Sequence, residues 1–194
     1  MSRDTADAGE ADAAAERRAA LARLCAGGTT LADALALFDR CPAVALEEMR
    51  GVWRGTGCPT GHLLDGLLEH YGWYGKAFTD TERVDPLLFQ RGNGTPFAVA
   101  PRLMPLGLAV FPRVARSRVA RWLFDALQPV IRTTSPAARL RLLSYRGVVT
   151  ATMVYDHLPI HDAFRRIDHD TLLGVMDWRG APPFVFVLHR DRGR

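Results

Sequence analysis

The chain has 194 residues, 48% hydrophobic and 24% charged, with a net charge of +4. This is the composition of a soluble globular protein with enough chain for one sizeable core, and so mild a positive bias favours acidic partners only weakly. No RNP, KH or zinc-finger pattern is present, so no nucleic-acid partner is expected.

Residues 1–10 are small, acidic and aperiodic, and read as a disordered tail. The opening "MSRDTADAGEADAAAERRAA" has no apolar signal region. Cys25, Cys41 and Cys58 are odd in number and form no CxxC pair. Both features suggest reduced thiols and a cytoplasmic protein. Residues 11–48 form a helical segment: one helix from Ala11 to Gly27-Gly28, a second capped by Thr30 with Leu31, Ala34, Leu35 and Phe38 at helical spacing, then a turn after Pro42.

From Gly51 the pattern changes to short runs of period two, punctuated by glycine and proline. Strands are predicted at 51–57, 73–79, 84–90, 96–100, 139–146, 148–155, 171–177 and 184–190. "HLLDGLLEH" is a short helix, and Gly147 marks a hairpin turn. A longer helix at 112–130, begun by Pro112 and ended by Pro129, interrupts the strands. The longest apolar stretch, 97–112, is too short to cross a bilayer and is broken by prolines.

About eight antiparallel strands are enough to close a sheet around one small ligand. "GVWRGTG" at 51–57 fits such a sheet, because glycine relieves crowding where a strand coils tightly and Trp53 can plug one end. No Lys-Ser/Thr follows these glycines, so a phosphate-binding loop is excluded. The fold class expected is α+β: a closed antiparallel β-barrel of about eight to ten strands spanning 49–194, with halves at 49–104 and 130–190. The N-terminal helices and the 112–130 helix cover it.

The stretch from Met49 to Phe89, with "GVWRGTG", "TGH" and "GWYGK", resembles the bacterial and plant GXWXG family. The later half, with "YRG", "MVYD", "PIHDAFR" and "GVMD", is similar to the domain of unknown function that follows it in that family. The resemblance covers roughly residues 35–190. Some mycobacterial relatives are described as β-barrel lipid-binding proteins. The opening motif is also similar to those of lipocalins, fatty-acid-binding proteins and nitrobindin, a haem-binding barrel. What this implies is a calycin-like barrel that binds a hydrophobic small molecule, a fatty acid or phospholipid, with haem binding as an alternative.

Alternation in "GWYGKAF" puts Trp73, Gly75 and Ala77 on one face and Tyr74, Lys76 and Phe78 on the other. Lys76, the only lysine in the chain, could hold a carboxylate or phosphate head group if it points inward; the alternative is a solvated surface lysine. "MVYDHLPIHDAFR" reads as a strand end, a turn and a short helix, with His161 and Arg165 four apart on one helix face. Pro159 breaks the helix that a metal-binding pair of histidines needs. Asp156, Asp162 and Arg165 are either structural or a polar anchor. The ligand-binding set is thus Trp53, Trp73, Lys76 and Phe78 from the first half, and Met153, Tyr155, His161 and Arg165 from the second. No metal or cofactor is expected.

No GxSxG, Cys-His or HExxH nucleophile signature is present; an enzyme would use Asp156, His161 or Lys76 as acid–base groups on a hydrophobic small molecule. His189 is the candidate haem ligand, or else a surface histidine at a strand end. The 112–130 helix carries Val119, Trp122, Leu123 and Ala126 on one side and Arg113 and Arg116 on another. It either packs across the barrel mouth or makes transient contact with an anionic membrane surface.

Overall fold

The computed structural model describes residues 3–92, 94–103 and 112–193. The apolar residues 104–111 and Asn93 lie outside the described set, as does that part of the expected apolar stretch. Nine strands form one antiparallel sheet: β1 (Gly51–Gly57), β2 (Trp73–Phe78), β3 (Val84–Phe89), β4 (Phe97–Ala98), β5 (Ala138–Tyr145), β6 (Val148–Tyr155), β7 (Ile160–Asp168), β8 (Thr171–Trp178) and β9 (Phe184–Arg190). The order β2-β1-β9-β8-β7-β6-β5-β3-β4, with β2 also paired to β3, returns the sheet on itself as a ring of eight strands. β4 hangs from β3 outside the ring. The seam is thin: β3 and β5 share the single pair Val84–Ala138, whereas β5 pairs with β6 along its whole length.

Every strand expected from period-two patterning is present, with 96–100 trimmed to Phe97–Ala98. β7 corrects the expected turn and short helix at 160–168. Ile160 and Phe164 face the interior cluster, while Ala163 and Ile167 face a second cluster outside. Beyond the exposed His161 near its start, β7 is largely covered on both faces, so it lacks the continuous polar face that makes a strand legible. Pro159 is compatible with this because it precedes the first paired residue.

The ring interior is packed with aromatic and aliphatic side chains, including Trp53, Phe78, Phe164 and Phe186. The second cluster lies between the outer face of β7–β9 and two helices, α1 (Arg3–Cys25) and α2 (Leu31–Arg40), which contribute Leu21, Leu24, Leu37 and Phe38. α2 starts at a capping box in which Thr30 accepts from the Asp33 amide and Asp33 accepts from the Thr30 amide. α1 begins at Arg3, in the stretch expected to be disordered, and is anchored where Arg17 donates to the Ile167 carbonyl.

The expected reduced thiols are corrected at two of the three cysteines. Cys25, at the end of α1, and Cys58, just after β1, form a disulfide across Cα atoms 4.9 Å apart. Sequence spacing cannot reveal a pairing that only helix docking creates. Cys41 remains a buried free thiol, and burial pushes its pKa up to about 11.

The expected 112–130 helix is two helices, α4 (Pro112–Ala115) and α5 (Arg118–Ile131). Ser117 has extended backbone and caps α5 by accepting from the Ala120 amide. Pro129 lies within the last turn of α5 rather than ending it. No helix among the described residues is long and apolar enough to cross a membrane.

Candidate functional site

One end of the ring interior contains an apolar pocket roofed by the short helix α3 (Leu67–His70) and its approach. Leu64 and Leu68 form the roof, and Trp73, Met176, Trp178 and Phe186 are among the walls. Three polar side chains enter this lining, each from a different strand: Lys76 of β2, Tyr155 of β6 and Asp162 of β7. The enclosed space is about 50 Å³. Sites that enclose a drug-sized ligand run to about 300–1,000 Å³. The interior is therefore largely filled by its own side chains, and the pocket admits one end of a molecule rather than a folded acyl chain.

Glycines make this arrangement possible. At Gly75, φ is +146°, and a Cβ there would lie 1.9 Å from the Trp53 carbonyl oxygen. The register between β2 and β3 shifts on both sides of Gly75. The resulting bulge breaks alternation, so Trp73 and Lys76 both line the pocket, correcting the expectation that they face opposite ways. Gly174 does for the Phe186 ring what a larger residue could not, since a Cβ there would lie 2.4 Å from that ring. Trp73 and Phe186 then meet edge to face at 6.0 Å between centroids.

Lys76 is 3% exposed and Asp162 is fully buried. The Lys76 ammonium lies 2.8 Å from Oδ2 of Asp162, donates to the Pro86 carbonyl at 3.1 Å, and sits 4.9 Å from the Phe186 ring centroid. Burial pushes the Asp162 carboxyl upward, against the opposing pull of Lys76. Burial, followed by the nearby Asp162 charge, raises the Tyr155 phenol well above its ordinary value, so Tyr155 remains a neutral donor. Tyr155 is within hydrogen-bonding range of the Asp162 carboxylate. Even so, neither carboxylate oxygen receives a well-aligned hydrogen bond. The charges are close, but their directional bonding capacity is not used up.

Of the residues expected to bind ligand, Trp73, Lys76 and Tyr155 line the pocket. Trp53, Phe78 and Met153 lie in the interior core without reaching it. The Trp53 indole donates to the Met49 carbonyl and is covered by the Arg190 guanidinium at 4.2 Å. Arg165 is corrected: it points outward beneath α2, stacks on Phe38 at 5.1 Å and donates to the Tyr145 carbonyl. His161 is exposed on that outer side of β7, because strand periodicity separates it from Asp162. Asp156 pairs with Arg139 at the surface.

His189 is exposed, with Nδ1 3.5 Å from the Thr171 hydroxyl. No histidine or cysteine lines the pocket among the described residues, and no cluster of His, Cys, Asp or Glu there could hold a metal ion. The main omission of sequence reasoning is Asp162 as the partner of Lys76. The available signal was the alternation Ile160–Asp162–Phe164, which places a carboxylate in line with two core residues.

An antiparallel ring braced by outer helices, with a small polar-floored pocket inside it, defines an α+β protein built on one large antiparallel sheet. The chain belongs to the GXWXG family: residues 36–94 match the GXWXG protein family, and residues 136–190 match a domain of unknown function, DUF4334. A crystal structure of a protein from Thermomonospora curvata is similar to it, at 31% identity and a TM-score of 0.66, covering 91% of this chain and 99% of that one. No curated protein matches the chain.

Proposed function

We propose that this protein is a calycin-like closed barrel that binds a small hydrophobic molecule by one polar end. The observation that carries the reading is the convergence of Lys76, Tyr155 and Asp162 on an otherwise apolar pocket. Asp162 already balances the charge of Lys76. A fatty-acid carboxylate would bring a second negative charge beside Asp162 in a water-poor site, at a large desolvation cost. A neutral hydroxyl or carbonyl can accept from Tyr155 or Lys76 without that cost. The preferred ligand is thus a neutral lipid-like alcohol or ketone whose apolar body leaves through the pocket mouth.

Titration of freshly purified protein with 1-decanol and with decanoate, read by tryptophan fluorescence, tests this. Trp73 and Trp178 report directly from the pocket wall. Tighter binding of decanol is expected at pH 8. Tighter binding of decanoate, or no response to either, overturns the reading.

We further propose that α5 rests on an anionic lipid bilayer. Val119, Trp122, Leu123 and Val130 lie at helical spacing and are exposed, Trp122 at 68% and Val119 at 73%. The buried face of α5 is a different one, made of Phe124, Gln128 and Ile131. Arg113, Arg116 and Arg118 flank the exposed stripe and supply the charge complementarity.

A further inference from the structure

The structure points to a catalytic use of the pocket: we propose that Asp162, Tyr155 and Lys76 form an acid–base site that moves a proton on a small enolisable ketone. This rests on the pocket binding a neutral polar molecule and adds a reaction to that reading.

The starting observation is energetic. A lysine and an aspartate, both nearly inaccessible, are placed among Phe186, Trp73 and Met176. Replacing such a pair by well-packed apolar residues is commonly neutral or stabilising, so stability alone is a poor reason to keep it. A buried carboxyl that burial pushes upward, facing a cleft beside two other polar groups, is instead a candidate for a reactive site. The second observation is geometric. Of the three ammonium donors of Lys76, the Pro86 carbonyl takes one, and Asp162 Oδ2 lies 2.8 Å from the nitrogen as an ion pair. Both Asp162 oxygens lack a well-aligned hydrogen bond although the side chain lines the pocket. Tyr155 offers a phenol O–H. A base and two donors therefore surround the same small space.

The groups divide into complementary roles. The Asp162 carboxylate removes a proton from the carbon next to the substrate carbonyl. The C–H electron pair becomes the new C=C bond, and the carbonyl π pair moves to oxygen. Tyr155 and Lys76 donate hydrogen bonds to that oxygen as its negative charge develops. The protonated Asp162 then returns its proton to the same carbon, or to the γ carbon when the substrate is a β,γ-unsaturated ketone, leaving the conjugated isomer. Nothing is oxidised or reduced, and the carboxylate is regenerated. The dry aromatic walls strengthen each of these electrostatic interactions. The substrate class is a compact ketone or enone whose carbonyl end fits the pocket.

The test uses the full chain with 3-cyclohexen-1-one, following formation of 2-cyclohexen-1-one by absorbance, and cyclohexanone in D₂O, following α-deuteration by NMR. Both reactions should run faster than in buffer. Asp162→Asn should lower the rates on the order of a hundredfold, and Tyr155→Phe by a comparable factor. Because Asp162→Asn leaves Lys76 unpaired and can unfold, Tyr155→Phe and the double variant Lys76→Met/Asp162→Leu are measured alongside, with circular dichroism to establish folding. Rates that match buffer, or that survive in a folded double variant, overturn the catalytic proposal. If 2-cyclohexen-1-one quenches tryptophan fluorescence while both rates match buffer, catalysis fails and the binding reading stands. If neither it nor 1-decanol binds, both fail.

Discussion

Gly55 and Trp73 share one volume: a Cβ on Gly55 would lie 2.3 Å from Cη2 of the Trp73 indole. The second glycine of the GXWXG motif thus holds open the space for an aromatic wall on the neighbouring strand, while Trp53, the motif's own tryptophan, is sealed beneath Arg190. Gly55→Ala is expected to destabilise the fold by about 1–3 kcal/mol through overpacking. Adding Trp73→Leu should recover most of that loss, because the smaller side chain vacates the contested space. Urea denaturation of the two variants measures the coupling; an unaltered midpoint for Gly55→Ala would mean that the indole can move aside.

The Lys76–Asp162 pair yields a second expectation. Removing one partner strands a buried charge, so Lys76→Met alone should cost about 3–5 kcal/mol. The double variant Lys76→Met/Asp162→Leu should approach or exceed wild-type stability while losing decanol binding. A double variant that stays as unstable as the single one would show that the pair holds the ring together.

These two pairs also mark where the sequence was legible. The strands showed because most present an alternating pattern, and the hairpin at Gly147 showed because its Gly has φ of +80°. Lys76 and Tyr155 stood out by residue type within aromatic runs. The inward turn of Lys76 beside Trp73 was hidden, since it depends on a bulge at Gly75 that a strict period of two contradicts. Asp162 was hidden because β7 is largely covered on both faces, so its charged residues looked like a helix surface. The Cys25–Cys58 link was hidden because it arises from how α1 docks, a contact with no local pattern.

His62 supplies a pH dependence. The Leu64 amide donates to His62 Nδ1, so Nε2 carries the proton toward the Pro182 carbonyl, 3.1 Å away. Burial holds the His62 pKa below its ordinary 6.5, with the neighbouring Asp65 charge and the Pro182 hydrogen bond opposing. The native state therefore prefers neutral imidazole. Above pH 6.5 this contribution to stability is fully present. As pH falls below 6.5 the unfolded chain takes up a proton more readily than the native one, and the contribution is lost until the native pKa is passed. Protonation breaks the bond that shapes the approach to α3, the pocket roof. Melting curves from pH 8 to pH 5 should fall more steeply for wild type than for His62→Gln; parallel curves would exclude His62 as the sensor.

The disulfide should matter to the brace of outer helices rather than to the pocket. It closes a separation of 33 residues, for which loop-closure entropy gives about 3–4 kcal/mol. Cys25→Ala/Cys58→Ala is expected to lose roughly that much stability while keeping decanol affinity within about threefold, because Cys58 belongs to the outer cluster and distant sites act independently. Stability unchanged on removing both cysteines would mean that apolar packing of α1 alone secures it.

The exposed stripe of α5 gives the last prediction. Its apolar residues cannot be satisfied by the ring, because Phe124 already fills that role against Tyr71 and Phe89. α5 and the turn before it are also fastened to the pocket roof: Arg121 of α5 donates to the His70 carbonyl, Arg116 in the link to the Asp65 carbonyl, and Tyr71 to the Ala115 carbonyl at the end of α4. A surface that engages α5 is therefore mechanically joined to the segment over the pocket. Vesicles containing phosphatidylglycerol should bind the protein, and pure phosphatidylcholine vesicles should bind it far less. Each arginine near the lipid contributes about 1 kcal/mol, which salt then screens. Trp122→Ser/Val130→Ser should abolish sedimentation with vesicles without lowering the melting temperature, since both side chains are exposed. If the wild type is a dimer by light scattering and this variant a monomer, the stripe pairs two copies of the chain instead, and the membrane assignment falls.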